Sequence, residues 1–237
     1  MFFHLASKNM TSATYISDRN EELIKTYIVV RDRVGELIEV LNQHQKGYYK
    51  NPSEYYYRLR NELQPRNDVE IAARFIALNK TCFNGLYRVN KTGKFNVPMG
   101  DHKKPLICDG SNLKNVSTLL RHSNPEIQCV DYRKILLKAE TDDFVYLDPP
   151  YKPSSSTSNF TAYTHQGFGD DDQLTLKKTF VELDHKNCKV LLSNSDTPFI
   201  RELYSDFGIK EVDVQRAINS NGSGRAGHKE LIISNYT

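Results

Sequence analysis

The sequence predicts an α/β sheet interrupted by a mostly helical insertion, and three observations carry that reading. Short strand-like runs recur at Ala13–Asp18, Phe144–Leu147, Lys189–Leu192, Ile209–Val214 and Leu231–Ser234. Helical patterns follow the first run and separate the next three, an alternation typical of α/β folds. Between about Asn42 and Ser123 the chain turns polar, tyrosine-rich and helical. Residues 1–41 and 124–237 therefore form one discontinuous domain, and 42–123 a second one inserted into it.

Taken in order, Ala13–Asp18 is a short strand closed by an acid. From Asn20 to about Leu41, apolar side chains at Leu23, Tyr27, Val30, Val34, Leu37 and Leu41 keep the three-and-four spacing of one helix face. Asn20 is placed to cap it. Pro52 and Ser53 signal a further helix over Ser53–Leu63. Another is expected over Val69–Phe83, where Ile71, Phe75, Leu78 and Cys82 line one side. Two strand-like pieces around Gly93, in LYRVN-KTG-KFNVP, read as a hairpin. Pro153–Ser158 (PSSSTS) is the one low-complexity stretch and reads as a mobile loop.

Composition narrows the classes. The chain has 237 residues, 38% of them hydrophobic, enough for a packed core. No apolar run approaches the ~20 residues of a membrane span, so no membrane association is expected. The start, MFFHLASKNM, has no basic stretch ahead of an apolar one, and the cytoplasm is the default. Four scattered cysteines without a C-x-x-C pair predict neither a disulfide framework nor a metal site. A formal charge of +3 permits a nucleic-acid partner without demanding one.

The segment FVYLDPPY is chemically specific. An apolar strand delivers Asp148, Pro149, Pro150 and Tyr151 to its carboxyl end, where open α/β sheets bind ligands. Asp148 is an anionic acceptor. Pro149 offers a carbonyl without an N–H, and Pro150 after it stiffens that carbonyl toward an extended pose. Tyr151 adds a flat face. Together they suit a planar heterocycle bearing an amino group, whose lone pair is freed when two acceptors hold its hydrogens. A carboxylate also stabilises the positive charge that grows on nitrogen during methyl transfer. The competing reading is a strand running into an ordinary turn, since Asp and Pro are common turn formers.

Several segments beyond these four residues resemble the Dam family of adenine-N6 DNA methyltransferases. They are SDRNEELI, CFNGLYRVNKTGKFNVPMG, DFVYLDPPY, NFTAYTHQGF, VLLSNSD and SNGSGR…KELIISNY, in the family's order and spanning nearly the whole chain. The resemblance implies a Rossmann-like, S-adenosylmethionine-dependent methyltransferase sheet with a target-recognition insertion carrying a β-hairpin. It implies double-stranded DNA as substrate, GATC as site, a flipped-out adenine and direct in-line attack. It also implies a monomer and raises a cognate restriction endonuclease as partner.

Roles follow from the same resemblance. Asp18 matches the acid on the cofactor's ribose, although a helix-capping acid fits the pattern as well. Asp131 and Tyr132 match the pair at the cofactor's adenine. Asp148 serves both base and cofactor, with Pro149 and Pro150 beside it, and Tyr151 stacks on the target. Asn159, Phe160, Thr161 and Tyr163 match the loop that closes over the extruded base. In the insertion, Arg88 matches the guanine reader, Phe83, Asn84, Leu86 and Pro98 lie near the flipping site, and Lys91 and Lys94 touch phosphate. Lys103 and Lys104 would do the same, and any lone lysine also fits a solvated surface.

Two departures qualify the match. Gly100, Asp101, His102 and Lys103 stand where many relatives carry Gly-Arg-Tyr-Lys, an acid replacing a cation near DNA. Family members also begin with a W-x-G-G-K segment and a strand ending in F-x-G-G-G, and neither occurs here. The expectation is therefore a truncated chain lacking its first sheet strand, with exposed strand edges, weak cofactor binding and poor stability. The alternative to an active enzyme is a non-catalytic DNA-binding remnant. Cytosine-C5 chemistry fits less well, because no cysteine follows a proline. Zinc deaminases need H-x-E with P-C-x-x-C, and glutamine methylation pairs with N-P-P-Y.

Overall fold

The computed structural model describes residues 1–153, 168–214 and 228–236. It divides into two compact units, Met1–Tyr87 with Phe95–Tyr132, and Arg88–Lys94 with Arg133–Thr237.

The first unit is mostly helical. It contains α1 (Phe2–Ser7), β1 (Tyr15–Asp18), α2 (Glu21–Asp32), α3 (Val34–Lys50), α4 (Pro52–Asn61), α5 (Asp68–Thr81), α6 (Gly110–Ser123) and β2 (Glu126–Cys129). Side chains cap three of these helices. Asn20 accepts the Leu23 N–H at 3.2 Å, Asn67 the Glu70 N–H at 3.0 Å, and Asp109 the Asn112 N–H at 3.0 Å. Each satisfies an N–H that the first helical turn cannot. β1 and β2 pair in parallel, Asp18 opposite Cys129.

The single helix expected over Asn20–Leu41 is in fact two, broken at Arg33 (φ −133°, ψ 35°), and the second continues to Lys50. Both pack on α5. Thirty residues of continuous helix would run about 45 Å against the roughly 21 Å of α5, so one straight rod could not lie on it throughout. The buried face of α3 is Leu37, Leu41, His44 and Tyr48, and it meets Tyr56, Leu59 and Ala73 in the core. The helices expected at Ser53–Leu63 and Val69–Phe83 each begin one residue earlier than expected and stop two short. Of the expected hairpin, the tight turn around Gly93 is present, with single bridge residues, Val89 and Phe95, in place of regular strands, and Cys82–Met99 forms an isolated bridge. Gly100 beside it approaches so closely that a Cβ would lie 2.6 Å from Cys82 O.

His44 gives this core a pH dependence. Burial drives its pKa from 6.5 down to about 4, with Glu70 acting the other way, and Nδ1 lies 2.8 Å from the Tyr55 hydroxyl. The folded protein holds it neutral, whereas the unfolded chain takes up a proton below pH 6.5. Its stabilisation is complete above that value and declines toward pH 4, by up to about 1.4 kcal/mol per pH unit. Urea midpoints should fall between pH 7 and 5, and fall less in His44→Gln. Equal slopes in the two proteins would rule His44 out.

The second unit is a mixed sheet in the order β3-β4-β6-β5, built from β3 (Phe144–Leu147), β4 (Lys189–Ser195), β5 (Gly208–Val214) and β6 (His228–Ser234). β3 and β4 are parallel, while β6 runs antiparallel between β4 and β5. Helices α7 (Asp170–His185) and α8 (Pro198–Leu203) belong to the same unit. Leu176, Phe180 and Leu183 of α7 are buried together with Val190 and Leu192 of β4. No helix among the described residues is long and apolar enough to cross a membrane.

Candidate active site

Register places the site. Leu147 of β3 pairs with Leu192 of β4 in a parallel ladder, so the next residues, Asp148 and Ser193, emerge side by side at the carboxyl edge. β6 runs the other way, and its Glu230 pairs with Ser195 at that same edge. Three strands thus bring Asp148, Ser193 and Glu230 together at one end of the sheet.

The hydrogen bonds have one consistent direction. Ser193 Oγ donates to Asp148 Oδ1 at 2.7 Å. A serine has a single proton, so the Tyr146 hydroxyl, 3.1 Å from Ser193 Oγ, is the donor in that contact. Tyr146 and Ser193 therefore form a relay that fixes one carboxylate oxygen of Asp148 and leaves the other side of the group to solvent. The Tyr151 hydroxyl donates to Glu230 Oε2 at 3.2 Å. Burial pushes the Tyr151 pKa up to about 12, and the carboxylates of Asp148 and Glu230 add to that. The ring stays neutral and keeps its proton. A half-buried aromatic face thus lies beside an exposed carboxylate.

In the first unit, Asp18 ends β1 and Asp131 follows β2 by two residues, so both acids lie at the carboxyl edge of the parallel pair. Asp18 Oδ1 accepts the Asn20 N–H at 2.7 Å, and Asp131 lies 3.7 Å from Arg19. Tyr132 begins a short 3-10 turn. Two carboxylates on adjacent strand ends fit the hydroxyl and amino donors of a nucleoside, and by that chemistry the residues present fit the nucleoside part of S-adenosylmethionine.

The segment after α5 also carries sequence candidates. Phe83 and Asn84 lie in a 3-10 turn, with Asn84 left-handed at φ 54°. The Phe83 N–H donates to Pro98 O at 2.9 Å, which brings these two candidates together, and the Phe83 ring is 42% exposed. Leu86 and Arg88 are half-buried. Lys91 and Lys94 are exposed on the turn closed by Asn90, whose N–H donates to Lys94 O at 2.9 Å. Asn90 Oδ1 accepts from Thr92 N, Thr92 Oγ and Lys94 N, and Gly93 takes φ 76°. Asn159, Phe160, Thr161 and Tyr163 lie outside the described residues, as does most of Pro153–Ser158.

A family profile for D12 class N6 adenine-specific DNA methyltransferases matches residues 1–218. The chain belongs to that family. It is 44% identical over 246 residues to the type II methyltransferase M.MjaIII of Methanocaldococcus jannaschii, covering 100% of this chain and 84% of the relative. It is 40% identical over 241 residues to the type II methyltransferase M1.LlaDCHI of Lactococcus lactis subsp. cremoris, covering 100% and 82%. The DNA adenine methylase of Escherichia coli K12 is 34% identical over 218 residues, 92% of this chain and 77% of that protein.

For a member of this family, sequence reasoning passed over Ser193 and Glu230. Both sit in segments noticed for their resemblance, VLLSNSD and KELIISNY, yet neither received a role. Parallel register was the missing signal, because it sets Ser193 beside Asp148 across 45 positions of chain.

Proposed function

We propose that this chain transfers a methyl group from S-adenosylmethionine to N6 of adenine in duplex DNA, within GATC. The observation that carries the proposal is the Asp148–Tyr151 loop at the carboxyl edge of β3, with Ser193 holding one oxygen of Asp148 at 2.7 Å. The remaining face of that carboxylate and the Pro149 carbonyl accept the two amino hydrogens, and Tyr151 stacks on the flipped base. The negative charge of Asp148 stabilises the cationic nitrogen in the transition state. S-adenosylmethionine supplies the electrophilic methyl group. Asp18 is assigned to its ribose and Asp131 with Tyr132 to its adenine. The target base must leave the stack, and we assign its capture to Asn159, Phe160 and Tyr163.

In this reading residues 42–123 recognise the DNA, while 1–41 and 124–237 form the catalytic domain. Phe83, Asn84, Leu86 and Pro98 face the vacated stack, and Lys91 and Lys94 hold phosphate. Arg88 reads one guanine. Arg88→Ala should relax preference at that base by about 1–3 kcal/mol, measured as methylation of GATC against one-base variants. A uniform fall across all sites would remove Arg88 as a reader. Two of the relatives are named type II methyltransferases, which supports a cognate restriction endonuclease as a partner, and the working form in this reading is a monomer.

We also propose a Rossmann-like methyltransferase sheet, which the parallel pairing of β1 with β2 and of β3 with β4 supports. The second reading is a DNA-binding protein without chemistry of its own. Labelled S-adenosylmethionine and unmethylated GATC DNA separate the two. Adenine labelling by the 237-residue chain supports the enzyme. No labelling overturns the proposal.

A further inference from the structure

We propose that Gln173 and Asn194 form a buried amide clasp that sets the backbone pose of Tyr151. Both side chains are 0% exposed. Gln173 lies in the first part of α7, and Asn194 lies near the end of β4, paired with Leu231 of β6. Gln173 Nε2 donates to Pro150 O at 3.1 Å, and Asn194 Nδ2 donates to Gln173 Oε1 at 3.1 Å. Asn194 Oδ1 accepts the Lys152 N–H at 3.1 Å and the Ser195 N–H at 2.9 Å.

These bonds have a simple geometric meaning. The Pro150 carbonyl belongs to the peptide plane before Tyr151, and the Lys152 N–H belongs to the plane after it. The clasp holds both planes, which fixes the two backbone dihedrals of Tyr151 between them. Lys152 is held further along, its carbonyl by Ser195 Oγ and its ammonium by Asp170. Tyr151 is thus gripped on both sides of its Cα and, through Glu230, at the tip of its ring.

The bonds made are as informative as the one left open. The clasp takes the Pro150 carbonyl, whereas no hydrogen bond reaches the Pro149 carbonyl among the described residues. Two amides in a dry interior are costly unless every donor and acceptor points the right way. An apolar pair could fill that volume, but it would not select which carbonyl of the Pro-Pro pair is held. Gln173 and Asn194 are therefore positioning residues, and they act through Tyr151 and the Pro149 carbonyl. The role in transfer rests on the proposed methyltransferase reading, whereas the clasp itself does not.

Two arms test it on the full chain, with Gln173→Met, Gln173→Glu and Asn194→Leu. In the first, hydrogen exchange at the Lys152 amide should speed up about tenfold, the factor one lost hydrogen bond is worth, in Asn194→Leu, which removes its acceptor, with melting temperature held within a few degrees. Exchange unchanged in folded Asn194→Leu overturns the clasp whatever the protein does. The second arm is single-turnover methyl transfer at saturating DNA and cofactor. Gln173→Met should lose about 100-fold in rate, as for a small misplacement of reacting groups, with little change in DNA affinity. Gln173→Glu should recover as pH falls, because a protonated carboxyl can again donate to Pro150 O. Loss of affinity in step with rate, or no recovery at low pH, overturns the positioning role. If wild type transfers no methyl group while the exchange arm succeeds, the methyltransferase reading fails and the clasp stands.

Discussion

Replacing Asp148 by Asn should lower the single-turnover rate of adenine methylation by at least about a thousandfold, the upper range for one preorganised electrostatic contact. The substitution keeps the volume and removes the charge. It also turns one acceptor into a donor, at a group proposed to hold an amine through its hydrogens. The structure makes the outcome specific. Ser193 Oγ donates to Oδ1, so the introduced amide should settle with its oxygen toward Ser193 and its NH2 toward the substrate. That orientation repels the amine instead of gathering it. DNA affinity and its salt dependence should stay near wild type, because the contacts assigned to phosphate lie elsewhere. A variant that keeps more than about a tenth of the rate would show that Asp148 is not the acceptor of the developing charge.

The largest stability loss should come from Phe180→Ala, about 3–5 kcal/mol. Phe180 is fully buried on the inner face of α7. Its ring lies 5.5 Å from that of Tyr204 at 73° and 4.7 Å from that of Phe207 at 63°, both edge-to-face. Three aromatic rings from α7 and the segment after α8 meet there, and truncating the central one leaves a cavity. Urea unfolding followed by circular dichroism would measure it, with Phe180→Leu as the volume-sparing control. A loss below about 1 kcal/mol in Phe180→Ala would mean that the cluster collapses around the gap.

β3, β4 and β6 were readable because each carries a short apolar run. β3 appears at the expected residues, and β4 and β6 are only longer. The helix break at Arg33 was not readable. No proline or glycine occupies that position, and the break depends on the length of α5, which lies 35 residues further on. β2 was missed for a related reason. Glu126–Cys129 carries only one aliphatic side chain, Ile127, and becomes a strand by pairing with β1. The site divides along the same line. D-P-P-Y announces itself because its chemistry lies in consecutive residues. Ser193, Glu230, Gln173 and Asn194 are common residue types whose role depends on which strand lies beside which, and local spacing does not encode that.

The turn at Asn90 has a bearing on how such proteins change over time. One side-chain oxygen gathers three donors there, so the loop is folded by its own residues before any DNA arrives. The outward side chains of Lys91 and Lys94 take no part in that folding. In the proposed reading a lineage can therefore exchange them one at a time, retuning the grip on phosphate, while the frame that presents them stays whole. Affinity for DNA can then drift by single, survivable steps with the base readers unchanged.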